Sequence, residues 1–315
     1  MTGTRWLVAL IAAAALACAI PQAAPAAEQK AVLVTGASTG IGRNMAETLA
    51  QEGFFVYAGA RKDADLDELE AIDNIKAVRL DVTKQDQVDA AVEFVKSEGR
   101  GLFGLVNNAG VASFGLMTEA DVDEIDWVFD VNVNGVVRVT RAFAPLLIES
   151  QGRIATTGSI AGIRTSPAMG VYSMSKHAVE AFTDALAFEL RETGVRVAVI
   201  EPGGYRSAIR NTTANRLFEN YKASGKEPPQ WQVDVLNSML NEETGMKEPD
   251  EVSAALLHFL SSDAPLHRYM VVPVEQQGHA TITALINELA QLNRWGPYSY
   301  SRDELVEMLD QALAE

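Results

Sequence analysis

Tyr172 and Lys176 stand four residues apart in Tyr172-Ser173-Met174-Ser175-Lys176. On a helix that spacing is one turn, so a phenol and an ammonium project from the same face. A free tyrosine has a pKa of about 10 and exchanges protons poorly near neutrality. A fixed cation beside it stabilises the phenolate and lowers that value. The pair therefore suits proton transfer to or from an oxygen atom. Any surface helix can carry Tyr-x-x-x-Lys, so the pair gains meaning from what accompanies it. Upstream stand Thr35-Gly36-Ala37-Ser38-Thr39-Gly40-Ile41-Gly42, then Asn107-Asn108-Ala109-Gly110, then Ser159.

Gly36, Gly40 and Gly42 fall between an apolar run and an amphipathic segment, the strand–turn–helix setting that makes a glycine-rich turn meaningful. Glycine lets the backbone approach a pyrophosphate, and the helix start beyond it offers free N–H groups and partial positive charge. Ser38, Thr39 and Ile41 complete this turn, whose spacing is Gly-x-x-x-Gly-x-Gly. The end of the next strand selects the cofactor. A carboxylate there suits the ribose hydroxyls of NAD, and an arginine suits the extra phosphate of NADP. Here Gly59-Ala60 leads into Arg61-Lys62, with no acid before Asp63. The expectation is NADP, held by Arg61 with Lys62 assisting, and NAD is the alternative.

These groups need a scaffold to bring them together. Apolar runs at 31–35, 54–60, 77–80, 102–106, 154–157, 195–200 and 269–274 read as seven strands. Helical spacing fills the gaps: through Met45, Leu49 and Ala50 to Gly53, over 87–97 to Gly99, over 121–149, over 172–191 to Gly194, and over 252–260. Strands alternating with helices imply right-handed crossovers. The fold class is α/β, a doubly wound seven-stranded parallel sheet in one domain at 28–280. Two segments break the rhythm. Residues 205–247 are polar, with Pro228-Pro229, and read as a lid inserted over the carboxyl edge of the sheet. Leu217, Phe218 and Trp231 within it hint at a hydrophobic substrate. Residues 281–315 read as a C-terminal helical extension, with homo-oligomer assembly as one use for it.

Composition narrows the function further. The 315 residues carry a net charge of −16, from 26 basic and 42 acidic side chains. That balance argues against nonspecific nucleic-acid binding, which needs a basic surface. Cys18 is the single cysteine, so no intramolecular disulfide, cysteine metal site or catalytic thiol is expected. His177, His258, His267 and His279 lack metal-ligand spacing, and no metal is expected. Residues 1–27 are of a different kind. Arg5 precedes an apolar run over 6–20, followed by Ala24-Pro25-Ala26. This reads as a secretory signal peptide cleaved near Ala26, or as a membrane anchor through residues 6–20. The run is shorter than the roughly 20 residues of a membrane span. The expectation is an exported or membrane-associated protein, and a cytoplasmic chain is the alternative.

The motifs together resemble the classical short-chain dehydrogenase/reductase family over residues 30–275. Thr35 to Gly42 is similar to its cofactor turn. Asp81 and Val82 sit where the family contacts the adenine ring, and Asn108, Ala109 and Gly110 match its motif after the fourth strand. Asn132 matches the helix asparagine, Ser159 the catalytic serine, Tyr172 and Lys176 the catalytic pair, and Pro202-Gly203 the turn beside the nicotinamide. The texture of 131–142 and of Arg164-Thr165-Ser166-Pro167-Ala168 is similar to the branch of 17β-hydroxysteroid dehydrogenase-like and retinol dehydrogenase-like oxidoreductases. The resemblance implies a Rossmann fold and hydride transfer between NADP(H) and a small-molecule carbonyl or secondary alcohol. It implies Tyr172 as acid/base, Ser159 on the substrate oxygen, Lys176 on the nicotinamide ribose, and Asn132 fixing a water that links Lys176 to solvent. Gly203-Gly204-Tyr205 departs from the threonine-bearing sequence frequent there, and Ser207 stands in as the contact to the carboxamide. The rival reading is a non-catalytic dinucleotide-binding redox sensor. Such proteins usually lose the tyrosine or the lysine, and this chain keeps both.

Overall fold

The computed structural model describes residues 29–241 and 245–314; the segment expected to be a signal or anchor at 1–27 lies outside them. Seven parallel strands form one sheet: β1 (Ala31–Val34), β2 (Phe55–Ala60), β3 (Ile75–Arg79), β4 (Gly104–Asn107), β5 (Arg153–Thr157), β6 (Arg196–Pro202) and β7 (Arg268–Val271). Their order is β3-β2-β1-β4-β5-β6-β7. Helices connect them: α1 (Gly40–Gln51), α2 (Asp63–Glu70), α3 (Gln85–Ser97), α4 (Val122–Phe129), α5 (Gly135–Glu149), α6 (Gly170–Leu190), α7 (Ile209–Ser224), α8 (Gln230–Asn241) and α9 (Asp250–Ser261). Two more, α10 (Glu275–Leu292) and α11 (Arg302–Ala314), follow β7.

The period of two along each strand divides the sheet between two cores. Val32, Val34, Val56 and Val106 face α1 and α9, where they meet Met45, Leu49, Phe259 and Leu260. Leu33, Tyr57, Leu105 and Ile154 face the other way, toward Val88 and Val92 of α3 and Val139 and Phe143 of α5. Helices cover both faces, which is why the strands read as unbroken apolar runs. Since β1 lies between β2 and β4, its crossovers leave in opposite directions. A crevice opens beyond the carboxyl ends of β1 and β4, the place where ligands bind in such sheets.

Three elements differ from the sequence reading. Helix α2 was not expected, because five of the eight residues of Asp63–Glu70 are acidic and only Leu69 is buried. Strand β7 stops at Val271, where pairing with Pro202 of β6 ends and the chain turns toward α10. The segment over 205–247 contains two helices with a small core of their own, in which Phe114, Ala214, Leu217, Leu236 and Met239 are buried. Polar bonds fasten this unit to the rest. Arg216 makes a bidentate pair with Glu124 at 2.5 Å and stacks 4.1 Å over Trp127. Gln232 accepts from Tyr221 Oη at 2.7 Å and donates to Phe114 O at 3.0 Å. The polar composition of the segment thus reflects its fastening.

Between α4 and α5 the chain makes one π turn, Asp130–Asn134, which carries Asn132. At the other end, α11 begins on a reciprocal cap: Ser301 N donates to Glu304 Oε2 at 2.7 Å, and Glu304 N to Ser301 Oγ at 3.3 Å. Helices α10 and α11 leave large apolar side chains on the surface, among them Ile286, Leu289, Leu292 and Leu313.

Candidate active site

The crevice is held open by a lock between the first and fourth strands. Thr35 Oγ1 accepts from Asn108 N at 2.9 Å and Ala109 N at 3.0 Å. The Asn108 side chain returns the contact, donating to Thr35 O at 3.1 Å and Gly36 O at 3.3 Å. Its Oδ1 accepts from Thr157 Oγ1 at 3.3 Å, which adds the fifth strand to the lock. Glycine is needed here for two reasons. Gly36 has φ +65°, and a Cβ on it would stand 2.8 Å from Ala109 Cα. A Cβ on Gly42 would stand 2.3 Å from both Asn108 Nδ2 and Gly36 O. The turn is therefore wrapped tightly on itself with bare backbone facing the crevice, at the start of α1. This is a cradle that fits a pyrophosphate.

A cavity of about 710 Å³ runs from this turn along the carboxyl ends of the strands. Gly36, Ser38, Thr39, Ile41 and Gly42 line one stretch of it, and Arg61, Asp81 and Val82 close that end. Burial would push the Asp81 carboxyl up. Hydrogen bonds from Thr83 N and Oγ1, with the charges of Arg61 and Lys84, hold it below the usual carboxylate range instead. An ionised Asp81 thus faces Arg61 where an adenosine would lie. Asp63, the one acid near the end of β2, is taken by an ion pair with Arg79. Asn108, Ala109, Gly110, Pro202 and Gly203 line the middle.

Ser159, Tyr172 and Lys176 line the far end. Ser159 follows β5 and caps a single 3-10 turn, Ile160–Gly162, its Oγ accepting from Ala161 N at 3.1 Å. Tyr172 and Lys176 lie on the first two turns of α6, as their spacing required. Lys176 is 5% exposed and donates to Thr157 O at 2.7 Å, with its Nζ 5.8 Å from the centre of the Tyr172 ring. Burial pushes this ammonium down to about 8, and Glu180 one turn on opposes the shift. The expectation that Lys176 lowers the tyrosine pKa is not met. Burial raises the Tyr172 phenol above its ordinary value, and only the contact with Ser159 works in the other direction. The physical reason is that desolvation penalises the phenolate.

Three residues singled out in the sequence do not line this cavity. Gly40 lines a neighbouring groove with Ser207 and Ala208. Lys62 is exposed at the N-terminus of α2. Asn132 is 1% exposed behind the wall, and its amide is committed on three sides. It accepts from Val111 N at 2.8 Å and donates to Val111 O and Ser175 Oγ at 2.9 Å each. It ties the π turn to the loop after β4 and to α6. Ser207 leans on the glycine turn, 3.1 Å from where a Cβ of Gly40 would be, and so stands at the phosphate end. Leu217, Phe218 and Trp231 do not line the cavity either. Its apolar wall comes from Val111, Phe114, Trp127, Met169, Met239 and Met246.

Sequence reasoning passed over a charged cluster beneath the catalytic end. Glu180 and Glu201 are both buried and share the Arg268 guanidinium, which also pairs with Asp184. A Cβ on Gly158 or Gly162 would stand 2.7 or 2.9 Å from Glu180 Oε1, so the turn carrying Ser159 lies directly on this carboxylate. The available signal was Glu201 itself, a charged residue in the otherwise apolar run before Pro202.

The family model described as short chain dehydrogenase matches residues 30–217. The chain is 34% identical over 266 residues to the mitochondrial D-beta-hydroxybutyrate dehydrogenase of Rattus norvegicus, across 78% of each chain. It is 39% identical over 207 residues to 17-beta-hydroxysteroid dehydrogenase type 6 of Bos taurus, across 64% of each. Its fold is similar to a short chain dehydrogenase/reductase of Burkholderia phymatum in complex with NAD, with TM-score 0.72 and 26% identity over 87% of this chain and 98% of that one. A short chain dehydrogenase of Burkholderia cenocepacia J2315 in complex with NADP gives 0.64 and 25% over 85% and 97%.

Proposed function

The chain belongs to the short chain dehydrogenase family, and on that premise we propose that it transfers a hydride between NADP(H) and a carbonyl or secondary alcohol, with Tyr172 as acid and base. It is an oxidoreductase acting on CH–OH groups, and similar structures hold NAD or NADP. The observation that carries the residue assignment is one cavity with a phosphate cradle at Gly36–Gly42 and Ser159, Tyr172 and Lys176 at its other end.

The bound dinucleotide supplies or accepts the hydride. Gly36, Ser38, Thr39, Ile41 and Gly42 hold its phosphates, with Gly40 shaping the turn. Asp81 and Val82 flank the adenine, and Asn108, Ala109, Gly110, Pro202 and Gly203 flank the remainder. Arg61 stands at the adenosine end with no free carboxylate at the tip of β2, which favours the 2′-phosphate of NADP, and Lys62 adds positive charge nearby. In reduction Tyr172 Oη donates its proton to the carbonyl oxygen, and Ser159 Oγ donates a hydrogen bond to the same oxygen. The raised phenol pKa keeps that proton in place at neutral pH. Lys176 remains an ammonium there and donates to the nicotinamide ribose. Asn132 positions α6 against the loop after β4 and so sets the distance between Lys176 and the cavity. Oxidation runs the same groups in reverse.

We place the catalytic unit at 28–280, with α7 and α8 as a lid over about 205–247, and a helical extension at 281–315. Residues 1–27 are proposed as an export signal or anchor. Fractionation with N-terminal sequencing tests that proposal: a mature chain starting near Ala27 supports the signal, and a soluble cytoplasmic chain starting after residue 20 defeats both. The catalytic reading is tested by following NADPH and NADH consumption against ketones, aldehydes and quinones. Oxidation of NADPH by a carbonyl compound supports it. Tight NADPH binding without turnover on any compound would leave the redox-sensor reading in its place.

A further inference from the structure

The substrate end of the cavity carries an asymmetry of charge. Among the described residues, Asp81 at the adenosine end is the one carboxylate that lines the cavity, while Arg164 and Arg216 line the substrate end. Arg216 is spent on Glu124. Arg164 is not: among the described residues no carboxylate lies within ion-pair distance of it. It stands five residues after Ser159, in the segment joining the catalytic serine to the catalytic tyrosine.

Helix α10 holds Arg164 in place. Arg164 Nε donates to Thr281 Oγ1 at 3.3 Å, and Thr281 is fully buried. The hydroxyl of Thr281 donates in turn to Gln277 O at 2.8 Å. Gln277, one helical turn earlier on the same face, also lines the cavity. Its Oε1 accepts from Gly204 N at 2.8 Å, which fixes the orientation of the amide and leaves Nε2 as its open donor. Gly203 of the matching turn and Gly204, where the chain departs from the family pattern, make room for this contact. A Cβ on Gly203 would stand 2.2 Å from Gln277 Oε1, and one on Gly204 would stand 3.1 Å from Gln277 Nε2. One face of α10 therefore fastens a guanidinium and a primary amide, both with donors to spare, in a cavity that Met169, Met246 and Phe114 also line.

We propose that Arg164 and Gln277 form an anion-recognition point, and that the substrate is an oxo or hydroxy acid whose carboxylate docks there while its apolar chain lies against Phe114, Met169 and Met246. This rests on the carbonyl–alcohol chemistry proposed above and adds the substrate class to it. The terminal guanidinium N–H groups of Arg164 and the Nε2 of Gln277 are donors, and they match a carboxylate, which accepts only. Thr281 acts as a positioning residue that aims Arg164.

The test uses the full chain and two readouts. The first is the ratio of kcat/KM for straight-chain oxo acids to that for their methyl esters. The wild type should favour the acids by on the order of ten- to a hundredfold, the range of a charge-assisted hydrogen bond. Arg164→Gln should bring the ratio near one by raising KM for the acids, with the ester rates unchanged, and Arg164→Lys should restore part of it. Thr281→Val should give an intermediate ratio. The second readout is calorimetric binding of saturated straight-chain carboxylates, which have no carbonyl to reduce. It should be present in the wild type, absent for the matching alcohols, and lost in Arg164→Gln with NADPH affinity retained. Equal wild-type rates on acids and esters, or an equal loss on both in Arg164→Gln, overturns the proposal. Absence of turnover on every compound overturns the catalytic reading instead, and the binding arm then decides the anion site by itself.

Discussion

Replacing Glu201 by glutamine should stabilise the protein above neutral pH and leave it unchanged in acid. Glu201 is 2% exposed, directly before the Pro202-Gly203 turn. Burial, then the charge of Glu180 and a hydrogen bond to it, push this carboxyl from 4.5 up to about 7; Arg268, donating to Glu201 Oε1 at 3.1 Å, opposes the shift. Among the described residues no donor reaches the buried Glu180 Oε1, and a proton on Glu201 lets the two carboxyls share a hydrogen bond. The folded chain thus holds that proton more tightly than the unfolded chain does. For a raised carboxyl the stabilisation is complete below the unfolded value of 4.5 and is lost as pH rises through about 7. At about 1.4 kcal/mol per pH unit, the interval amounts to roughly 3 kcal/mol at most. Glutamine donates to Glu180 as the protonated acid does and cannot ionise, so the variant retains this contribution in base. Its Oε1 still accepts from Arg268, which keeps Glu180 and Asp184 as partners. The assay is Tm by circular dichroism from about pH 5 to about pH 9, where about 2 °C per kcal/mol gives a gain of several degrees at the upper end. Parallel curves for the two proteins, or a variant less stable at the alkaline end, would refute the argument.

The remaining expectations concern the site. Tyr172→Phe should lower kcat by several orders of magnitude while NADPH binding, followed by fluorescence titration, stays near wild type; more than about a tenth of wild-type kcat would remove Tyr172 from its role. Arg61→Ala should raise the KM for NADPH and change NADH little, and a wild type that works better with NADH would show the reading of β2 to be wrong. Gly42→Ala should weaken NADPH binding by at least about tenfold, since its Cβ meets Asn108 Nδ2 and breaks the lock between β1 and β4; unchanged affinity in a folded variant counts against the cradle.

What was legible in the sequence was what short-range spacing determines. The strands buried on both faces had to be apolar runs, and Tyr172 and Lys176 had to share a helix face once α6 was recognised. The glycine turn was legible because close backbone approach leaves no other residue type, as the 2.3 Å contacts at Gly42 express. What was hidden depended on distant partners. Nothing near Asn132 in sequence says that its amide is used up by Val111 and Ser175. The lid helices were obscured because bonds such as Arg216 to Glu124, 92 residues apart, require polar side chains where a helix would otherwise show an apolar stripe. Leu217 and Phe218 pointed to an apolar substrate, but they serve the lid's own core, and the cavity wall is built from Phe114, Trp127 and methionines far apart in the chain. The direction of the Tyr172 shift was hidden for a related reason, since burial is a property of the whole fold and raises the phenol.

The fit of Gln277 against Gly203 and Gly204 bears on how this chain can be recombined with its relatives. The family model ends at residue 217, before α8, so a natural crossover point for a chimera lies in the segment after it. Any such crossover separates the Gly203-Gly204 pair from the helix that packs on it. An acceptor with a side chain at 203 displaces the Gln277 amide, since a Cβ there would stand 2.2 Å from Gln277 Oε1, and the bond from Gly204 N is lost with it. A library that varies residues 203, 204 and 277 together keeps this contact in more of its members than one that varies them separately.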